Sequence, residues 1–159
     1  GIPPDRVYSR SALVNIERLA LLEAVSVMRK RGIEAVDLPG YRVKSMITLF
    51  SLFPPYILSW MLAGTMRKAR GGKPPSLYQD LTARKPNSEV TYINGKIAEE
   101  AEKFNIPAPT NRVLSDVLEN IAKGRIPWER YKGKPEMLIK KWKQERHRKK
   151  SKKSRYRED

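Results

Sequence analysis

Ser88-Glu89-Val90-Thr91-Tyr92-Ile93-Asn94-Gly95-Lys96-Ile97-Ala98-Glu99-Glu100-Ala101-Glu102-Lys103-Phe104 is the stretch that decides the fold class. Its apolar residues Val90, Ile93, Ile97, Ala101 and Phe104 are spaced three, four, four and three apart. That is the period of one helix face, since side chains three and four apart lie above one another. Lys96, Glu99, Glu100 and Lys103 fill the other face and can pair along it. The spacing predicts an amphipathic helix over 88–104.

The same period extends outward on both sides. Downstream, Ile106-Pro107-Ala108-Pro109 reads as a rigid turn, and Thr110 as the cap of a helix. That helix carries Val113, Leu114, Val117, Leu118 and Ile121 and closes at Gly124. A loop with Trp128 and Tyr131 follows, then Pro135 at the first position of a last helix. Upstream, Ser76-Leu77-Tyr78-Gln79 has capping-box spacing and opens a short helix to about Arg84. Gly71-Gly72-Lys73-Pro74-Pro75 breaks the chain before it. Ser11 opens a long helix whose apolar stripe is widened by Leu21, Leu22, Ala24 and Val25, so burial on more than one side is expected. It ends at Arg29-Lys30-Arg31-Gly32, with cations in the last turn and glycine beyond it. No convincing period-two strand pattern and no fixed-period repeat occurs. The expected class is all-α, with about six helices and a disordered basic C-terminus.

Ser45–Met66 contains no charged residue and lies between Lys44 and Arg67-Lys68. A membrane-crossing helix needs about 20 apolar residues. Here Pro54-Pro55 splits the run, and Ser45, Thr48, Ser51, Ser59 and Thr65 dilute it. Two buried helices, roughly 42–52 and 55–68, are expected, with membrane contact the less favoured alternative. Ile2-Pro3-Pro4-Asp5 is followed by no signal-peptide apolar region.

The 159 residues carry 33 Lys and Arg against 17 acids, a net charge of +16. Residues 140–159 hold 11 of the cations and three of the acids, half of the excess. The run from Lys140 to Lys150 could bind nucleic acid or an anionic surface, with Trp142 available to stack on a base. A solvated tail is the simpler reading. Cysteine is absent and His147 is the one histidine. Disulfides, thiolate metal sites and a Cys nucleophile are therefore excluded, and a multi-His metal site or a Ser/His triad is implausible. There is no Gly-x-Gly-x-x-Gly and no Walker loop, so no cofactor cradle is visible. Ser76 and Glu89 stand out because each sits at a helix start after a proline-containing break. A hydroxyl with free amide N–H groups can hold a carboxylate there, and an acid is favoured by the dipole. Both also suit plain capping roles.

Lys73-Pro-Pro-Ser76-Leu-Tyr-Gln-Asp80-Leu, Ser88-Glu89-Val-Thr-Tyr-Ile-Asn94-Gly95 and Ile106-Pro107-Ala-Pro109-Thr-Asn111 follow one another in order. Together they resemble the C-terminal domain of ketopantoate reductases (2-dehydropantoate 2-reductases). Asp5-Arg-Val-Tyr-Ser, Glu23-Ala-Val-Ser-Val-Met and Asp37-Leu-Pro-Gly look like the connecting helix of that domain. The resemblance covers about residues 1–139. It implies a helical bundle like the C-terminal domain of 6-phosphogluconate dehydrogenase, with residues 140–159 as a tail outside it. It also implies a cytoplasmic NADPH-dependent oxidoreductase of pantothenate biosynthesis that reduces a 2-keto acid to a 2-hydroxy acid. Ser76 matches the substrate-binding serine. Glu89 matches the glutamate that contacts the catalytic lysine or the substrate. Asp80, Asn94, Gly95 and Asn111 match motif positions read as structural. Thr91 stands where the family carries an acid. The Rossmann domain and the catalytic lysine have no match in these residues. NADP and the cofactor domain are thus expected from outside the chain, which alone should be inactive, and no metal is expected. A homodimer through the exposed inter-domain surface stays open. So does a non-catalytic module that binds nucleic acid through residues 140–159.

Overall fold

The computed structural model describes residues 2, 4–69 and 91–155. Those residues form seven α-helices and no strand. They are α1 (Pro4–Tyr8), α2 (Ser11–Lys30), α3 (Val43–Leu52), α4 (Pro55–Ala69), α5 (Lys96–Lys103), α6 (Pro109–Ala122) and α7 (Pro135–Arg155). A π-helical turn, Thr91–Gly95, leads directly into α5, and a 3₁₀ turn, Trp128–Arg130, precedes α7. The short helix expected from Ser76 and the Gly71-Gly72 break lie outside the described residues.

Helix α2 is the axis of the fold. Its Val14 packs with Phe50 of α3 and Leu58 of α4. Its Ile16 packs with Val113, Val117 and Trp142. Its Val27 packs with Ala101 and Ala108. One helix serving three clusters needs apolar residues around more than one face, which is what its widened stripe supplies.

The helix ends follow from backbone chemistry. Gly32 takes φ 69°, a left-handed geometry that costs glycine little. Its N–H reaches the Arg29 carbonyl, and the Ile33 N–H reaches Met28, the paired bonds of a Schellman motif. Gly124 closes α6 in the same way through Ile121 and Asn120. Helix α5 ends identically on a non-glycine residue, Asn105, at φ 54°. Pro54-Pro55 separates α3 from α4, so the uncharged run is a pair of short helices. No described helix is long and apolar enough to cross a membrane.

Two expectations are revised. Of the helix expected over 88–104, residues 88–90 lie outside the described residues, Thr91–Gly95 form the π turn, and the α-helix runs from Lys96. In that turn Ile93 is exposed, so the apolar stripe is not buried along its whole length. Residues 140–155, expected as tail, continue α7 without a break. The physical reason is Trp142, which is only 4% exposed and completes the cluster with Ile16, Val113 and Val117. Leu138, Ile139 and Trp142 form one helix face that runs across position 139.

Candidate functional site

Helix α6 starts on Pro109 after Ala108, a residue that offers no side-chain cap. Its first N–H groups still need acceptors. Glu23, in the middle of α2, supplies them. One carboxylate oxygen accepts from the Thr110 N–H at 2.9 Å, the other from the Asn111 N–H at 2.9 Å. A carboxylate at a helix N-terminus is favoured by the dipole and by the free donors together. Thr110, expected as the cap, is instead a buried link. Its hydroxyl accepts from the Trp142 indole N–H at 3.3 Å.

Asn111 is the hub. It is fully buried, so each of its polar atoms needs a partner. Its side-chain amide N–H groups reach Glu23 at 2.8 Å and the Ala20 carbonyl at 3.0 Å. Its side-chain carbonyl accepts from Asn94 at 2.8 Å. Asn94 belongs to the π turn. A π turn holds one residue more than an α turn and is frequent at functional positions. The hydrogen bond therefore ties the turn that follows Glu89 to the start of α6, and Glu23 ties both to α2.

Asn94 and Asn111, from separate motifs, are thus brought into direct contact. Gly95 has ordinary right-handed helical geometry, φ −62° and ψ −44°, so its backbone conformation does not require glycine. Ser76, Asp80 and Glu89 lie outside the described residues. Glu23 and Trp142 are members that pattern reading overlooked in these roles. The signals were an isolated acid inside the apolar run Leu19–Met28 and a helix start at Pro109 with no capping residue before it.

The charged face of α5 is a separate cluster. Glu100 meets Lys103 at 2.8 Å, Arg31 at 3.3 Å and Lys96 at 3.4 Å. Hydrogen bonds from Lys103, then Lys96, hold the Glu99 carboxyl below the usual carboxylate range. The same two lysines lower Glu100, and the two glutamates raise Lys103. On α6, burial pushes the Asp116 carboxyl up. Among the described residues, no three His, Asp or Glu side chains are grouped to hold a metal ion. The buried position of Trp142, with Arg146 stacked on its ring at 4.9 Å, removes it as a platform for a nucleic-acid base.

An all-helical domain built around one long helix, with two asparagine motifs joined at a half-buried carboxylate, is the class that fold and site define. Residues 1–122 match the family described as ketopantoate reductase PanE/ApbA, C-terminal. The chain belongs to that family. A C-terminal domain of a multidomain reductase implies an N-terminal partner domain. No curated protein and no solved structure shows a significant match to the chain.

Proposed function

We propose that this domain forms the substrate side of an NADPH-dependent reductase that converts a 2-keto acid, 2-dehydropantoate, into the 2-hydroxy acid. The family match over residues 1–122 supports this reading. The observation that carries it is the Asn94–Asn111 contact at 2.8 Å. It fixes the π turn of the motif that contains Glu89 to the buried centre of the domain, which supports a positioning role for that motif. In this reading the Ser76 hydroxyl donates to the substrate carboxylate, and Glu89 contacts the substrate or the catalytic lysine. The chain's sequence holds no dinucleotide glycine loop. The cofactor is assigned to the N-terminal partner domain, and no step through it is assigned to these residues.

Steady-state reduction of 2-dehydropantoate by the two-domain protein tests this. Removing one hydrogen bond to a charged group costs about 1.5–3 kcal/mol. Ser76→Ala should therefore raise KM by roughly tenfold or more. Unchanged KM and kcat would refute the assignment.

A further inference from the structure

The uncharged run has a second face that the core does not use. Leu58 and Ser59 of α4 point inward: Leu58 is fully buried, and the Ser59 hydroxyl donates to the Tyr8 carbonyl. Other large side chains of this segment are exposed. Trp60 is 81% exposed, Leu52 73% and Tyr56 67%, and Phe53 lies partly exposed at the α3–α4 corner. Tyr56 and Trp60 are four apart on α4, so they share one helix face, and Phe53 lies at the corner that leads into that helix. Large apolar patches on a soluble surface mark places that something covers. A tryptophan and a tyrosine side by side match the anchors of protein interfaces.

We infer that this stripe is a two-fold interface between two copies of the chain, with Tyr56 and Trp60 at its centre. Charge and size both fit that occupant. The whole chain carries +16, yet no charged residue lies between Ser45 and Met66. A two-fold contact places the same surface on both sides, so its centre must be free of like charges. This segment is. An anionic lipid or nucleic-acid partner would instead be met by cations placed among the aromatics; this segment contributes none, and Arg18 of α2, which reaches the Ser51 carbonyl, is engaged there. Size agrees. Aromatic side chains bury 150–250 Å² each. At their exposures Phe53, Tyr56 and Trp60 offer roughly 400 Å² per chain before Leu52 and any rim are counted, against about 800 Å² per partner in a standard interface. The stripe lies on α3 and α4, whereas the asparagine junction lies on α5 and α6. The interface is therefore independent of the substrate assignment.

Light scattering and sedimentation of the 159-residue chain across concentration test the inference. A species of twice 18.3 kDa is expected. It should tighten as salt rises, because screening weakens the repulsion between two +16 chains. Trp60→Glu should weaken the dimer about a hundredfold or more, since a two-fold interface loses the anchor twice. Lys140→Glu, an exposed change on α7, should leave it unaltered. Circular dichroism checks that each variant keeps its helices. The chain has no cysteine, so Tyr56→Cys introduces one thiol, which should form a cross-linked dimer on mild oxidation while Lys140→Cys does not. A monomer at every concentration overturns the inference, as does a dimer indifferent to Trp60→Glu. Vesicle binding by a monomer through Trp60, weakening with salt, also overturns it in favour of a lipid surface. Protection of Trp60 only when the cofactor domain is joined overturns it in favour of that domain.

Discussion

The asparagine junction and the α3–α4 stripe reverse the usual distribution of residues in opposite ways. At the junction, a carboxylate and two amides are drawn inward. At the stripe, a tryptophan, a tyrosine and a leucine are left outside. Burying polar groups without partners is costly, and here Asn111 has a partner for its backbone N–H and for both side-chain ends. Exposing large apolar groups is disfavoured unless they are covered. The difference teaches that the two anomalies have different kinds of solution. The junction is complete within the chain, so its effect should appear in stability. The stripe is complete only with another molecule, so its effect should appear in association.

Trp142 gives the largest contrast. It fills the cluster around Ile16 and also donates to Thr110. Trp142→Ala should cost about 4 kcal/mol of unfolding free energy, the scale of large core truncations. Urea denaturation measures it. Ending the chain after Ile139 should destabilise it as severely, whereas ending after Arg148 should change little. Equal stability of both truncations would restore 140–159 as a dispensable tail.

Asn111→Ala comes next. It leaves the Glu23 carboxylate short of one donor and removes the acceptor of Asn94. A loss of about 3 kcal/mol is expected, from several hydrogen bonds of which two involve a charged group. Trp60→Ala, by comparison, should move monomer stability by less than about 0.5 kcal/mol, as exposed substitutions do. A junction variant that left stability unchanged, or a stripe variant that lowered it as much, would break the distinction.

The smallest effects are pH-dependent. Glu99 and Glu100 have depressed pKa values, caused first by Lys103. Their contribution is present above the ordinary carboxylate range and is lost as pH falls through the depressed values. Lys103→Met should therefore lower stability slightly at neutral pH and not in strong acid. Asp116 has the opposite sign, because burial raises its pKa. Its charged form is disfavoured in the fold, so Asp116→Asn should raise stability slightly at neutral pH, and the gain should vanish in acid. Thermal melts at a series of pH values read both.

Much of the fold was legible because its signals are local. Gly32 and Gly124 closed helices where their positions said they would, and Pro54-Pro55 divided the uncharged run. Asn105 closes a helix in the same left-handed geometry, but asparagine announces that less clearly than glycine. Trp142 was obscured by Lys140, Lys141 and Lys143 around it, though it continues the face of Leu138 and Ile139. Glu23 could not be assigned from spacing alone, since its partners lie 87 and 88 residues away. The asparagines were visible as motif positions, while their contact with one another needed the fold.

The proposed reading has Glu89, in the motif that Asn94 anchors, act at the reacting centre of a reductase. Turnover of 2-dehydropantoate with NADPH by the two-domain protein carrying Glu89→Gln tests it most directly. The account predicts that kcat falls about a hundredfold or more, the scale of a group acting at the transition state, with the helical fold intact. A variant that turns over at the unsubstituted rate would contradict it.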